Sequence, residues 1–150
     1  FTTFLERFRF SVYYLNNIIF GDLNTMALPV LICDDSSFAR KQMKRALPDG
    51  WDIDLTFATN GVEGVEAIRQ GKGEVVFLDL TMPELDGYGV LEAIRKEDLP
   101  AMVIVVSGDI QPDAQERVKK LGAMAFIKKP IDKATAIKIL TEFGILSAAE

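Results

Sequence analysis

The chain reads as an α/β domain: a doubly wound, five-stranded parallel sheet with five helices. Three observations predict it. Short apolar runs alternate with segments of helical period from Pro29 to Phe143. The runs are mostly continuous, which suits strands covered on both faces. Turn residues separate the segments at short intervals. The strand order 2-1-3-4-5 is one of the common doubly wound orders. It is adopted as such, since the apolar pattern does not select it.

The elements follow in order. Val30–Cys33 is a short apolar run and reads as a buried strand. Ser36 to Ala46 is helical, with Phe38, Met43 and Leu47 assigned to one side and Ser36 or Ser37 as the cap. Pro48-Asp49-Gly50 is a turn. Asp52–Ala58 alternates, with Ile53, Leu55 and Phe57 on one face. Asn60-Gly61 leads into a helix carrying Val62, Val65 and Ile68, and Gly71-Lys72-Gly73 ends it. Val75–Leu78 is an apolar strand that runs into Asp79. Gly87–Arg95 is a helix with Val90, Leu91 and Ile94 inward. Met102–Val106 is the most apolar strand. Pro112–Leu121 is a polar-faced helix ending at Gly122. Ala123–Ile127 is the fifth strand and Lys133–Phe143 the last helix.

Residues 1–25 differ from the rest. They crowd Phe1, Phe4, Phe8, Phe10, Tyr13, Tyr14 and Phe20 together, interrupted by Arg7, Arg9, Asn16 and Asn17. No run of about 18 apolar residues results, so no membrane span is expected. A signal peptide lacks a clear cleavage site here. The expected organisation is an N-terminal extension over 1–25, upstream of a natural start at Met26, and one domain over 26–150. An amphipathic docking helix is the functional alternative for the extension. With almost nothing after the last helix, no fused output domain is expected.

Composition narrows the chemistry. The chain has 150 residues, 49% hydrophobic and 26% charged, with net charge −5. That is an ordinary globular composition, long enough for a real core. The acidic balance disfavours nucleic acid as a direct partner. A lone cysteine, Cys33, permits no internal disulfide, which fits a cytoplasmic location. The absence of histidine removes histidine triads and histidine metal sites, and leaves carboxylate and lysine chemistry.

The carboxylates fall at strand ends. Asp34 and Asp35 follow the first strand and Asp79 follows the third. Ser107 ends the fourth and Lys129 the fifth. In the adopted order the first and third strands are neighbours, so the three acids converge beyond the carboxyl edge of the sheet, where open α/β sheets work. Packed carboxylates repel unless a cation joins them, and hard oxygen ligands suit Mg²⁺. Asp79 is then a candidate nucleophile for a phosphoryl group, with Lys129 as a fixed positive charge and Ser107 as a hydroxyl donor.

Four motifs carry a resemblance. They are Leu31-Ile32-Cys33-Asp34-Asp35-Ser36, Phe77-Leu78-Asp79-Leu80-Thr81-Met82-Pro83-Glu84-Leu85-Asp86-Gly87, Val105-Val106-Ser107-Gly108 and Phe126-Ile127-Lys128-Lys129-Pro130. Residues 29–143 resemble the receiver domain of two-component response regulators, in particular the single-domain chemotaxis-type group, whose fold is flavodoxin-like. The resemblance implies that Asp79 is the phosphoacceptor. It implies that Asp35 and Asp79 give carboxylates to Mg²⁺, that Asp34 helps directly or through water, and that Thr81 gives its backbone carbonyl. The family lysine directly precedes proline, which selects Lys129 over Lys128. The switch residues fall on Ser107 and Phe126; many relatives have tyrosine at the latter, so here only ring rotation remains. The implied partners are a sensor histidine kinase and an output protein or phosphatase. The protein itself is expected to be a monomer that is not an enzyme in the ordinary sense. It would phosphorylate itself from donors and slowly lose the phosphoryl group. The resemblance does not cover residues 1–25.

Blander readings compete. Asp34 alone could be a helix cap, Ser107-Gly108 an ordinary turn, and Lys128-Lys129 a solvated pair. Phe126 is core on any reading, and Cys33 a small buried apolar residue. Their joint spacing argues otherwise for the acids, Ser107 and Lys129. Two other functions fit less well. An aspartate-based phosphatase or phosphotransferase needs a second acid two residues after Asp79, where Thr81 stands. A nucleotide-binding module needs a phosphate loop after the first strand, where Asp34-Asp35 would repel phosphate.

Overall fold

The structure is a computed structural model that describes residues 27–109 and 111–147. The N-terminal extension assigned to 1–25 lies outside the described residues. Five strands alternate with five helices. They are β1 (Leu28–Cys33), α1 (Ser37–Ala46), β2 (Ile53–Ala58), α2 (Gly61–Arg69), β3 (Val75–Leu78), α3 (Gly87–Lys96), β4 (Met102–Ser107), α4 (Pro112–Lys120), β5 (Ala125–Lys128) and α5 (Lys133–Glu142). The sheet order is β2-β1-β3-β4-β5 and every pairing is parallel, as expected from the sequence.

Four of the five helices start on side-chain caps. Ser36, not Ser37, caps α1, accepting from the Ala39 amide at 3.2 Å. Asn60 accepts from Glu63 N–H and Asp86 from Gly89 N–H, each at 2.8 Å, and Asp132 caps α5 by accepting from Thr135 N–H at 2.7 Å. Satisfying these otherwise orphaned amides is worth about 1 kcal/mol per cap. Pro112 opens α4 instead, where a missing N–H costs nothing.

Two cores sandwich the sheet. Val30, Ile32, Val75, Phe77, Ile104 and Val106 face one, with Met43, Ala136 and Leu140 from α1 and α5. Leu31, Cys33, Val76, Leu78, Val103 and Val105 face the other, with Val65, Ile68, Val90, Leu91 and Val118 from α2, α3 and α4. Successive strand residues point to opposite faces, so both must be apolar.

One apolar assignment is corrected, and two further apolar residues are exposed. Phe38 is 71% exposed rather than inward with Met43 and Leu47. Five helical residues turn about 500°, which leaves Phe38 about 140° away from Met43. Val62 is 55% exposed, in the first turn of α2. Phe57 is exposed while Ile53 and Leu55 pack on the first core, because β2 is the outer strand and its end is uncovered.

Candidate functional site

Parallel strands bring their carboxyl ends to one edge. Cys33 of β1 stands opposite Leu78 of β3, so Asp34 and Asp79 emerge side by side. The Asp79 amide donates to the Cys33 carbonyl at 2.9 Å and fixes this start. Asp34 is fully buried and Asp79 is 6% exposed, while Asp35 faces solvent. One carboxylate oxygen from each of the three lies within 4.8 Å of the others.

Lys129 completes the cluster from the far side of the sheet. Its amide donates to the Ser107 carbonyl at 2.9 Å, which ties the end of β5 to the end of β4. Its Nζ lies 2.7 Å from Asp34 Oδ2 and 3.1 Å from Asp79 Oδ1. Lys128 is exposed. Period-two alternation turns these two neighbours in opposite directions.

Asp34 is held from three sides. The Ser36 amide donates to Oδ1 at 2.9 Å, and Lys129 takes Oδ2. Arg40 Nη1 donates to the Asp34 carbonyl at 2.8 Å. The loop after β3 is pressed against Asp79 by Gly87, whose amide donates to the Leu80 carbonyl at 2.9 Å. A Cβ on Gly87 would collide with the Asp79 carbonyl oxygen, so no side chain fits there.

The electrostatics favour an added cation. Burial, then the neighbouring Asp34, push the Asp79 carboxyl above its ordinary range, although Lys129 and the Leu80 amide pull it down. Burial works against the Lys129 ammonium. Its hydrogen bond to Asp34 and the field of Asp79 outweigh that and raise it. The cluster therefore holds more negative charge than one lysine offsets. Hard carboxylate oxygens with one exposed acid on the solvent side are a donor set that fits Mg²⁺.

The remaining sequence candidates surround this cluster. Ser107 is 3% exposed, and its Oγ accepts from the Asp109 amide at 3.1 Å, so its own hydrogen is left to donate elsewhere. Thr81 lies in the loop two residues past Asp79 and is exposed. Phe126 is half-buried, packs on the second core and lines a groove of about 510 Å³ with Pro112, Val118 and Met124. Ser36, Arg40 and Gly87 were not singled out from the sequence as parts of the site. A serine two residues after a strand-end aspartate is a usable signal for an Asx-type bond. Nothing in the sequence marks Arg40 or the close approach at Gly87.

The response regulator receiver domain family model matches residues 30–141. The chain belongs to that family. This receiver domain is 35% identical over 118 residues to the chemotaxis protein CheY of Thermotoga maritima, covering 78% of the chain and 98% of that protein. It is 34% identical over 113 residues to a protein-glutamate methylesterase/protein-glutamine glutaminase of Geobacter sulfurreducens, covering 75% of the chain but only 30% of that longer protein. Among solved structures it resembles CheY in the CheX–CheY–BeF₃–Mg complex of Borrelia burgdorferi, with TM-score 0.72, 29% identity, and coverage of 83% of this chain and 96% of that one. The signal receiver domain of NarL from Mycobacterium tuberculosis gives TM-score 0.72 at 26% identity, covering 79% of the chain and 97% of that one. Receiver domains are signalling domains of phosphorelays that bind Mg²⁺ at an acidic pocket, and Asp34, Asp35 and Asp79 make an acidic cluster here. Among the described residues no helix is long and apolar enough to cross a membrane.

Proposed function

We propose that Asp79 accepts a phosphoryl group from the phosphohistidine of a sensor histidine kinase, and that the modified domain then changes its binding to an output protein or phosphatase. The observation that supports this most is Lys129 Nζ lying between Asp34 and Asp79 at 2.7 and 3.1 Å. A cation in that position can pair with a phosphoryl oxygen as charge builds there.

The transfer is a displacement at phosphorus. An Asp79 carboxylate oxygen forms the new P–O bond, the P–N bond to the donor imidazole breaks, and the leaving nitrogen keeps the electron pair and takes a proton from solvent. Asp34 orients Lys129 through Oδ2 while the Ser36 amide holds Oδ1. The Ser107 hydroxyl donates to the new phosphoryl oxygens. Asp35, Asp79 and the Thr81 carbonyl would hold Mg²⁺, with Asp34 contributing directly or through water; when bound, the ion neutralises the phosphoryl oxygens beside the carboxylates.

The output face is that of α4, β5 and α5. As the Ser107 hydroxyl moves toward the phosphoryl group, the Phe126 ring turns inward and reshapes its groove. A two-state element biased by one local charge is enough for a switch. The near-complete coverage of the Thermotoga CheY favours a role in chemotaxis, in the cytoplasm.

Acetyl phosphate with Mg²⁺ tests the acceptor. Intact mass should rise by one phosphoryl group, and Asp79→Asn should abolish the rise because an amide is no nucleophile. Full labelling of the mutant would sink the assignment.

A further inference from the structure

Helix α1 carries Arg40, Lys41, Lys44 and Arg45 and no acidic residue, in a chain whose net charge is −5. Arg40 is engaged by the Asp34 carbonyl. Lys41, Lys44 and Arg45 are exposed and, among the described residues, form no ion pair. All three line a groove of about 850 Å³ between α1, the turn after it, β2 and the start of α5. The one carboxylate in its lining, Asp49, is already paired with Lys133 at 2.9 Å. Leu47, Pro48, Ile53 and Leu55 give it apolar surface. They are buried or half-buried where the cations are exposed, so a ligand must enter the groove to reach them.

We propose that this groove is a docking site for an acidic segment of a partner protein, one that places carboxylates against Lys41, Lys44 and Arg45 and apolar side chains against Leu47, Ile53 and Leu55. Charge complementarity carries the choice of occupant. Three cations unpaired among the described residues, on an acidic protein, make a local field opposite to the chain's net charge, which orients an acidic partner toward this face. The apolar lining carries the rest. A flat anionic bilayer could meet the cations but could not reach Ile53 and Leu55. A nucleic-acid backbone would leave the same residues unused and would meet repulsion from the remainder of the chain. None of the lining residues belongs to the acid cluster, so docking here does not depend on phosphoryl transfer.

The full chain should be titrated with a short fluorescent peptide that alternates Glu and Leu, alongside its Gln-for-Glu counterpart and vesicles of anionic phospholipid. The acidic peptide should bind, and amide shifts should gather at residues 41–55 and 133. Lys44→Glu with Arg45→Glu should weaken binding by about tenfold or more, with an unchanged circular dichroism spectrum since both side chains are exposed. Asp79→Asn should bind as well as the wild type does, which separates this site from the phosphoryl chemistry. Equal binding of the Gln peptide, shifts confined to the α4–β5 groove, or indifference to charge reversal would overturn the proposal. Vesicle binding without peptide binding would overturn it in favour of a membrane surface, and self-association lost on charge reversal in favour of a second copy of the chain.

Discussion

The Arg117 guanidinium lies over the face of the Tyr88 ring, its carbon 3.9 Å from the centroid. This joins α4 to the first turn of α3, one residue after Gly87, which touches the Asp79 backbone. Arg95 adds a second tie by donating from Nη1 to the Lys120 carbonyl at 3.2 Å. An exposed cation–π pair is worth about 0.5–1 kcal/mol. Tyr88→Leu and Arg117→Leu should each cost on that order in urea denaturation, and a double-mutant cycle should return a coupling. Additive losses would mean that the stacking contributes nothing.

Asp79→Asn should stabilise the metal-free protein. Burial and the neighbouring Asp34 raise the Asp79 carboxyl, so its ionised form weakens the fold at neutral pH. For a group raised in the folded state, stability is fully present below the ordinary carboxylate range and is lost as pH rises through the folded value. The gain from the amide should be on the order of 1 kcal/mol near pH 7. It should shrink as pH falls, because wild-type Asp79 then takes up a proton. Denaturation with a chelator present checks both. A destabilised mutant would show that Lys129 already overcompensates the pair.

Cys33 should be inert in the folded protein. Its thiol is pushed from 9.0 up to about 12, by burial first and then by Asp34, Asp79 and Glu63. A thiol reagent at pH 8 should therefore react quickly in urea and hardly at all in buffer. The same shift predicts alkaline loss of stability. The unfolded thiol ionises from about pH 9 while the folded one keeps its proton until about 12, so stability falls between those values. Fast labelling in buffer would reveal an opening of the β1–α2 contact.

Trp51 should be blind to Mg²⁺. It precedes β2, at the amino end of a parallel sheet whose acids sit at the carboxyl end, and it packs on the first core. Leu80 is the residue beside Asp79. Strong quenching of tryptophan fluorescence by Mg²⁺ would contradict the placement.

Ser107→Ala should still accept a phosphoryl group on Asp79 yet respond poorly at the output face. Amide shifts of residues 112–143, with and without a phosphoryl mimic, read the response. A bias of about 3 kcal/mol changes a two-state ratio more than a hundredfold, so losing one hydrogen bond can blunt it. Wild-type shifts in the mutant would route the coupling elsewhere, the Tyr88–Arg117 contact being the next place to look.

The strands were legible because their apolar runs are short, continuous and bounded by turns, and the acids because they end those runs. Edges of elements moved by a residue or two: β1 begins at Leu28, and β5 spans Ala125–Lys128 rather than Ala123–Ile127. Phe38 and Val62 were harder because an apolar residue near a helix start carries no statement about what covers it. Arg40 and the Tyr88–Arg117 contact were out of reach, since pairing across elements depends on helix rotation that residue types do not report. The basic groove was invisible for a similar reason. Its cations that are unpaired among the described residues are neighbours on α1, but the apolar residues they surround come from the turn after it and from β2, and only the fold brings the two together.

A strand that is apolar on both sides carries no polar signal against sliding. Moving β1 by one residue would exchange Val30 and Ile32 with Leu31 and Cys33, and each core would still receive aliphatic or sulfur-bearing groups. Oil-and-water sorting alone would tolerate that error. Shape is what rejects it. Gly64 rests directly on the Cys33 sulfur, and a Cβ there would stand only 2.7 Å from it. The larger leucine, isoleucine or valine side chains could not take that seat. A small residue on one helix thus works as a ratchet pawl for the neighbouring strand, and the alignment it keeps is the one that delivers Asp34 to its place opposite Asp79.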